Sequence, residues 1–295
     1  MKRFAYIPAG KAQSAEWLKC ALISLSDEQY DLLKEVHAAS GETLCSVKAV
    51  LAEKMPAGLI EVRDGVSYVP AWIDAVLKEI SLADLEGLRR KVSWMYFCMK
   101  YFALVYGMGS TRLLVRLYNK LPGENAPRQL AGVLFDYVNN NTGMLHREEG
   151  MLFSGLHGTD EELYTYGQKA RSMEISIPTY RELRDIQVHG YPLTEEPWNQ
   201  LRETLKRIPD IDQTDMERAL GELFVLSTSP KTTADAEAML QEQGIHWPEE
   251  MRDEVTRALA DVMMNARIAV FNGGRRRACE RRWEEMLADQ YEKLY

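Results

Sequence analysis

The stretch LIEVRDGVSYVP, Leu59 to Pro70, decides how the first part of this chain folds. Apolar Ile60 and Val62 alternate with charged residues, which is the pattern of a half-buried β-strand. Asp64-Gly65 follows, a dipeptide that strongly favours a two-residue hairpin turn, and a second alternating run returns from it. The stretch therefore predicts a β-hairpin.

Helical patterns precede this hairpin. In SDEQYDLLKEVHAA, Ser26 to Ala39, apolar Tyr30, Leu33 and Val36 recur at helical spacing. A further helical segment, ETLCSVKAVLAEKM, ends at Pro56 and Gly58. Helices followed by a β-ribbon are the outline of a winged helix, a helix-turn-helix with a hairpin wing. Residues 1–80 are therefore predicted to form a winged-helix-like unit.

The same order recurs in residues 81–158. A long helix is predicted over Leu82 to Tyr106, and GMGS interrupts it. Two shorter helices, STRLLVRLYNKL and APRQLAGVLFDYVNN, lead into MLHREEGMLFSG, which alternates and turns at Glu149-Gly150. This repetition predicts a second winged-helix-like unit. The alternative is one such unit followed by a helical domain.

Residues 159–295 are predicted to form an acidic α-helical bundle domain with short connectors. Its last two helices are expected over Pro248 to Phe271 and Gly274 to Leu294. The predicted fold class is thus mainly α, with two winged-helix-like units (helices plus a β-hairpin) followed by an α-helical bundle.

Composition limits the classes of protein that fit. The chain has 295 residues, of which 46% are hydrophobic and 27% charged, so an ordered globular protein is expected. No apolar run is long enough for a secretory signal or a membrane span, which predicts a cytoplasmic protein without membrane contact. The four cysteines lie far apart in sequence, as buried apolar residues do, and indicate neither a disulfide framework nor a zinc site.

The charge distribution indicates where nucleic acid could bind. The net charge is -8, yet residues 81–158 carry nine basic and six acidic groups. Arg112, Arg116 and Lys120 recur every four residues on one predicted helix, Arg128 opens the next helix, and Arg147 lies on the hairpin. These five residues are the best candidates for contacts with duplex DNA. An ordinary solvated helix face explains the same pattern.

A second group of arginines stands in FNGGRRRACERRWEEM, Phe271 to Met286. On a helix beginning near Gly274 the arginines spread around the axis instead of forming one stripe. Bidentate pairs with carboxylates of the acidic bundle are the first interpretation, and an anion or phosphate partner is the second. Pairs within the helix, such as Arg277 with Glu280, are also expected. The members of this cluster are Arg275, Arg276, Arg277, Arg281 and Arg282.

The sequence contains no recognisable catalytic or metal-binding motif. His146, Glu148, Glu149 and His157 follow no ligand spacing of a known metal site. Glu195-Glu196 stands beside Pro197 at a predicted helix start, where the helix dipole accounts for acidic residues. We therefore expect no enzymatic activity, no catalytic residue, no metal and no cofactor.

Several segments resemble uncharacterised bacterial proteins, some of which carry a cysteine-rich zinc tail of the kind found at the end of the SecA translocase. The similar segments are YDLLKEVHAAS, GLIEVRDGVSYVP, PTYRELRDIQVHGYPLTEEPWNQL and MMNARIAVFNGGRRRACERR. They include the Asn272-Gly273 pair, whereas the zinc tail itself is absent. The resemblance implies a helical protein and brings no catalytic residues with it.

Two functional hypotheses follow. The protein is a non-enzymatic regulatory or accessory protein that binds nucleic acid through its second winged-helix-like unit. Alternatively, the wings and the acidic helical domain form a protein-protein interaction module.

Overall fold

The computed structural model describes residues 18, 21–23, 25, 27–39, 48, 52, 58–63, 66–79, 82–123, 125–155, 174–209, 211–282 and 284. Within these ranges the chain is mainly α-helical with small β-hairpins, as predicted. The elements are α1 (Asp27–Ala39), β1 (Glu61–Arg63), β2 (Val66–Tyr68), α2 (Ala71–Glu79), α3 (Leu82–Val105), β3 (Met108–Ser110), α4 (Thr111–Tyr118), α5 (Arg128–Thr142), β4 (Leu145–Glu148), β5 (Met151–Ser154), α6 (Tyr180–His189), α7 (Glu196–Leu205), α8 (Gln213–Ser227), α9 (Thr233–Glu242), a 3-10 turn (Glu249–Met251), α10 (Arg252–Asn265), β6 (Arg267–Ile268), a 3-10 turn (Ala269–Phe271) and β7 (Gly274–Arg275).

The chain divides into two compact units. The first comprises Met1–Tyr96 and Gln129–Gly143, and the second comprises Phe97–Arg128 and Met144–Tyr295. The division at residues 80/81 and 158/159 that the sequence suggests stays a prediction. No helix in the described ranges is long and apolar enough to cross a lipid bilayer.

The first predicted hairpin is present in the first unit. Strands β1 and β2 pair antiparallel, with Val62 opposite Ser67 and Arg63 opposite Val66, so two residues connect them as predicted. The apolar face of α1 is buried, including Tyr30, Leu33 and Val36. The predicted capping residue Ser26, and most of the helix predicted over Glu42 to Met55, lie outside the described residues.

The second predicted hairpin is part of a three-stranded sheet in the second unit. Strands β4 and β5 pair with Arg147 opposite Leu152, and the strand order is β3-β5-β4. Glu149 and Gly150 connect them with φ values of 47° and 80°, as a type I′ turn requires at both central residues. The segment GMGS, predicted to be only a helix break, supplies β3, in which Gly109 lies opposite Leu152.

Helices α6 to α10 form the remainder of the second unit. Helix α10 packs against α7 and α9, and α9 packs against α8. Trp198, Leu201, Leu223 and Leu259 are among their buried side chains. The bundle predicted in this region is therefore helical where it is described, whereas the helix predicted over Asp160 to Gln168 lies outside the described residues.

The two predicted C-terminal helices have different bounds in the structure. The helix predicted over Pro248 to Phe271 is wrong, because α10 ends at Asn265 and the extended backbone of Ala266 leads into β6. Gly274 and Arg275 form β7, and the following helix covers 276–282 of the described residues. A short antiparallel hairpin therefore stands where sequence periodicity predicts helix.

The turn of this hairpin explains its Asn-Gly pair. Asn272 and Gly273 both have positive φ, 52° and 71°. A Cβ on Gly273 would lie 2.5 Å from Cε1 of Tyr106, so only glycine fits at this position. The Asn272 carbonyl accepts a hydrogen bond from the backbone of Ser176 at 3.1 Å. This turn therefore packs closely against two other segments of the second unit.

Candidate functional site

Helix α4 carries the basic residues that the sequence identifies. Leu113, Leu114 and Leu117 are buried on its inner side, whereas Arg112 and Arg116 are exposed on its outer side. Four residues rise about 6 Å along an α-helix, which separates the two guanidinium groups along the surface. The name "basic surface" is used below for Arg112, Arg116, Lys120 and Arg147.

A backbone hydrogen bond joins the start of α4 to the turn of the β4-β5 hairpin. Thr111 N donates to the carbonyl of Gly150 at 3.2 Å. Arg112 follows Thr111 directly, and exposed Arg147 lies three residues before Gly150 on β4. The sheet therefore brings Arg112 and Arg147 to the same end, although 35 residues separate them in sequence.

The stripe predicted through Lys120 is shorter than expected. Helix α4 ends at Tyr118, and Lys120 lies half-buried in the turn that follows. Asn119 closes the loop after this turn by two bonds to Ala126, from its Nδ2 to the carbonyl at 3.2 Å and from the Ala126 N–H to its Oδ1 at 3.0 Å. The side chain of Arg128, the fourth predicted contact, lies outside the described residues.

Helix α4 contains two arginines and no acidic residue. Arg112, Arg116 and Lys120 form no ion pair with a carboxylate in the described ranges. The first turn of α4 holds no acidic residue, and its N-cap Ser110 makes no side-chain capping bond. Glu148 and Glu149 are exposed beside Arg147, so the hairpin itself is not basic. Helix α4 therefore carries two of the four positive charges of this surface, those of Arg112 and Arg116.

A second cluster of charges surrounds the β6-β7 hairpin. Because Arg267 lies opposite Arg275 in the hairpin register, both side chains are on the same face. Arg267 Nη2 lies 2.8 Å from Oε1 of Glu182, and Arg275 Nη2 lies 3.1 Å from the same oxygen. Arg275 also binds Glu195 through both Nη atoms, at 2.7 and 2.8 Å. These four residues are called the arginine-glutamate network below.

The surrounding backbone holds this network in place. Glu182 is the N3 residue of α6 and completes a capping box with Thr179, whose N–H donates to Oε2 at 2.7 Å. Arg267 Nη1 donates to Ser176 Oγ at 2.7 Å and to the carbonyl of Gly273 at 3.0 Å. The two arginines thereby attach the hairpin to the first turn of α6 and to the N-cap residue of α7.

The network shifts the pKa values of Glu182 and Arg275. Burial alone would raise the pKa of Glu182, but hydrogen bonds from Arg267 and from the Thr179 backbone outweigh it, and the pKa lies below its ordinary value. The hydrogen bond to Glu195 raises the pKa of Arg275, against the opposing effect of burial. Glu182 is therefore bound by the arginines as a carboxylate acceptor.

The other arginines of the predicted cluster have separate contacts. Arg276 Nε donates to Glu280 at 2.9 Å, and its Nη1 donates to the carbonyl of Lys231 at 2.6 Å. Arg277 contacts Asp261 at 2.9 Å and not the predicted Glu280. Arg281 and Arg282 are exposed. Arg276 and Arg277 therefore have partners of their own, and of the five arginines only Arg275 belongs to the network.

Metal-binding groups are not assembled in the part of the chain that the structure describes. No set of three or more histidine, cysteine, aspartate or glutamate side chains lies within metal-binding reach there. His146 is exposed on β4 and stacks near Phe153, with ring centroids 6.5 Å apart, whereas His157 lies outside the described residues.

No protein-family model, curated protein or solved structure matches this chain. The resemblance to bacterial proteins related to those with a zinc tail therefore stays a prediction. The site has to be interpreted from its own residues.

The sequence did not single out Arg267 or Glu182, and it assigned Glu195 to a helix first turn. One signal for Glu182 was present, because Thr179-x-x-Glu182 has the spacing of a capping box. No local sequence pattern predicts that Arg267 and Arg275 face each other. Their proximity depends on the β6-β7 hairpin, and the apolar periodicity of this segment predicts a helix instead. The network is a product of tertiary structure.

Proposed function

We propose that this protein binds duplex nucleic acid through its basic surface, as a regulatory or accessory protein. In this proposal residues 81–158 are the second winged-helix-like unit. Arg112, Arg116 and Lys120 contact backbone phosphates, and Arg147 contacts the duplex from the hairpin. The sequence places Arg128 in the same set.

The order of elements is the observation that carries the proposal. The chain runs α3, β3, α4, α5, β4, β5, and its first strand pairs with its last to give the sheet order β3-β5-β4. A winged helix has this chain order and this strand order, with the last hairpin as its wing. Strand β3 supports the proposal independently, because it was absent from the sequence-based prediction of the unit.

The charges of the basic surface support the same proposal. Lys and Arg side chains that neutralise phosphates supply the sequence-independent part of nucleic-acid affinity. Exposed arginines without a carboxylate partner are available for such contacts, and Arg112 and Arg116 fit this description among the described residues. Because Thr111 is bonded to Gly150, Arg112 and the hairpin can contact the same duplex.

The test is fluorescence anisotropy of a labelled DNA duplex, and of an RNA duplex, at salt concentrations from about 50 to about 200 mM. The wild-type protein should lose affinity steeply as salt rises. The double variant Arg112→Ala/Arg116→Ala should bind more weakly, and the slope of log K against log salt should fall by about 1 for each arginine removed. Absence of binding at the lowest salt concentration would refute the proposal.

A matched control separates a local contact from a change in net charge. Arg218 and Arg252 are exposed on α8 and α10, where they pair with Asp215 and Glu249. Arg218→Ala/Arg252→Ala also removes two positive charges, but from another part of the second unit. This variant should keep wild-type affinity and salt slope. Equal losses in both double variants would count against a site on α4.

Contact with another protein through the wings and the acidic helical domain is the second candidate function. Val62 on β1 is 64% exposed and lies on the first of the two hairpins. Removal of such an apolar side chain from water would stabilise a protein interface. Unchanged nucleic-acid affinity in Arg112→Ala/Arg116→Ala, together with loss of a protein partner in Val62→Asp, would favour this function.

A further inference from the structure

A small cavity lies beside the arginine-glutamate network. Its volume is about 20 Å³, which is room for about one water molecule. The lining combines apolar side chains with polar ones from α3, α6, the start of α7, α8, the end of α10 and the β6-β7 hairpin. The polar residues used below are Tyr101, Glu195, Ser227 and Asn265.

The hydroxyl group of Tyr101 is the unusual feature of this lining. Tyr101 is 2% exposed, and its Oη makes no hydrogen bond with any residue that the structure describes. A buried hydroxyl without a partner destabilises the folded state, and an ordered water molecule commonly supplies the missing bond. Tyr101 is one of the residues that line a cavity of the matching size.

Acceptors with spare capacity line the same cavity. Each carboxylate oxygen of Glu195 accepts one bond from Arg275, which leaves further lone pairs. Asn265 uses its Nδ2 to bind the carbonyl of Asp261, so its Oδ1 remains available. Ser227 Oγ donates to the carbonyl of Phe224 and can still accept. The lining therefore offers several acceptors and one hydroxyl donor.

We infer that this cavity is a binding site for one ordered water molecule. The water accepts a hydrogen bond from Tyr101 Oη and donates its two protons to acceptors of the lining, with Glu195 as the principal one. This arrangement gives the water about three hydrogen bonds, the usual number for a buried water molecule. It also links helix α3 to the arginine-glutamate network.

The size and charge of the cavity exclude other occupants. A volume of about 20 Å³ is too small for a metabolite, whose pockets usually measure hundreds of cubic ångströms. Two arginines and two glutamates balance each other in the network, so no excess charge attracts an ion. A neutral molecule with one heavy atom that both donates and accepts hydrogen bonds fits this environment.

The test combines a high-resolution crystal structure with the variant Tyr101→Phe. The wild-type protein should show water density within about 3.2 Å of Tyr101 Oη. Tyr101→Phe should weaken that density and raise the unfolding equilibrium constant about five- to tenfold, as loss of a typical hydrogen bond does. An empty cavity, a direct protein partner for Oη, or a Tyr101→Phe variant as stable as the wild type would overturn the inference.

Tyr106→Phe is the matched control. It also removes one buried tyrosine hydroxyl, but that hydroxyl donates directly to the carbonyl of Ser176 at 2.6 Å. The control should lose a comparable amount of stability and keep the cavity water. Loss of the water in both variants would contradict the assignment of Tyr101 as its partner.

Discussion

Arg275 and Glu195 form a two-point contact in which Nη1 lies 2.7 Å from Oε2 and Nη2 lies 2.8 Å from Oε1. Such parallel bonds are specific to the planar guanidinium group, because an ammonium group cannot reproduce their geometry. Arg275→Lys should therefore destabilise the second unit, although it conserves the charge. We expect a loss of about 1.5 to 3 kcal/mol in the free energy of unfolding, the range for hydrogen bonds to charged groups.

Urea unfolding followed by tryptophan fluorescence measures this loss, and the exposed pair Arg218–Asp215 provides its control. Their side chains are 57% and 51% exposed. Arg218→Lys should change the free energy of unfolding by less than about 0.5 kcal/mol, as exposed ion pairs contribute little. Equal effects at both positions would mean that the network adds no more than a surface pair.

Gly273→Ala should be among the most destabilising single changes in the hairpin. The added Cβ would lie 2.5 Å from Tyr106 Cε1, and alanine at a φ of 71° is strained as well. We expect a loss of about 2 to 4 kcal/mol, from backbone strain together with overpacking. Thermal unfolding of the purified variant measures it.

Gly150→Ala is the matched comparison for Gly273→Ala. Gly150 has a similar φ of 80°, but a Cβ at this residue would meet no atom within 4 Å. This variant should lose only about 1 to 2 kcal/mol, from backbone strain alone. A Gly273→Ala variant no less stable than Gly150→Ala would contradict the close contact with Tyr106.

The lowered pKa of Glu182 predicts a dependence of stability on acid. Because the folded pKa lies below the ordinary value of 4.5, the unfolded state takes up a proton first as the pH falls. The stabilisation from the ionised carboxylate is complete above about pH 5.5 and is lost as the pH falls through the folded pKa. Glu182→Gln retains the capping-box spacing. This variant should be less stable than the wild type at pH 7, and acidification should reduce its stability by less than it reduces that of the wild type.

Urea unfolding between about pH 7 and pH 3 tests this expectation, since the ionised form of a carboxyl group disappears in that range. Glu222→Gln on α8 is the control, because Glu222 is exposed and forms no ion pair with a described residue. It should follow the wild-type pH curve. A Glu182→Gln curve parallel to that of the wild type would show that Glu182 contributes nothing to acid sensitivity.

The C-terminal arginines should be dispensable for nucleic-acid binding. Arg277 is bound to Asp261. Arg282 lies in the same arginine cluster, in which Arg275 and Arg276 are also bound to protein groups. Arg277→Ala/Arg282→Ala should change duplex affinity by less than about twofold, because the phosphate contacts are assigned to α4 and the hairpin. Fluorescence anisotropy beside Arg112→Ala/Arg116→Ala tests this. A larger loss in the C-terminal variant would move the site to this cluster.

Local chemistry in the sequence was sufficient to predict both hairpins. Asp64-Gly65 and Glu149-Gly150 are turn-favouring pairs in the sequence, and the alternation on either side of each pair predicts the two strands that the structure pairs. The apolar face of α1 was likewise readable from its period. These features depend on neighbours in sequence, which is why sequence patterns predict them.

Features that depend on distant partners were not predicted. Strand β3 has three residues and becomes a strand by pairing with β5, about 40 residues later. The apolar period of NARIAVF continues that of α10, yet the backbone leaves the helix at Ala266 and places Arg267 against Glu182. Periodicity could not reveal that turn, because contacts from another segment stabilise it.

The arginine-glutamate network also imposes an order on folding. Arg267 and Arg275 lie 85 and 80 residues beyond the glutamates that they bind. On a ribosome that adds about 5 to 20 residues per second, Glu195 waits about 4 to 16 s for Arg275 to be made. Until then α6 and α7 can form helices, but their glutamates cannot form ion pairs with the arginines of the hairpin. During synthesis, attachment of α6 and α7 to the hairpin therefore has to follow the synthesis of Arg267 and Arg275.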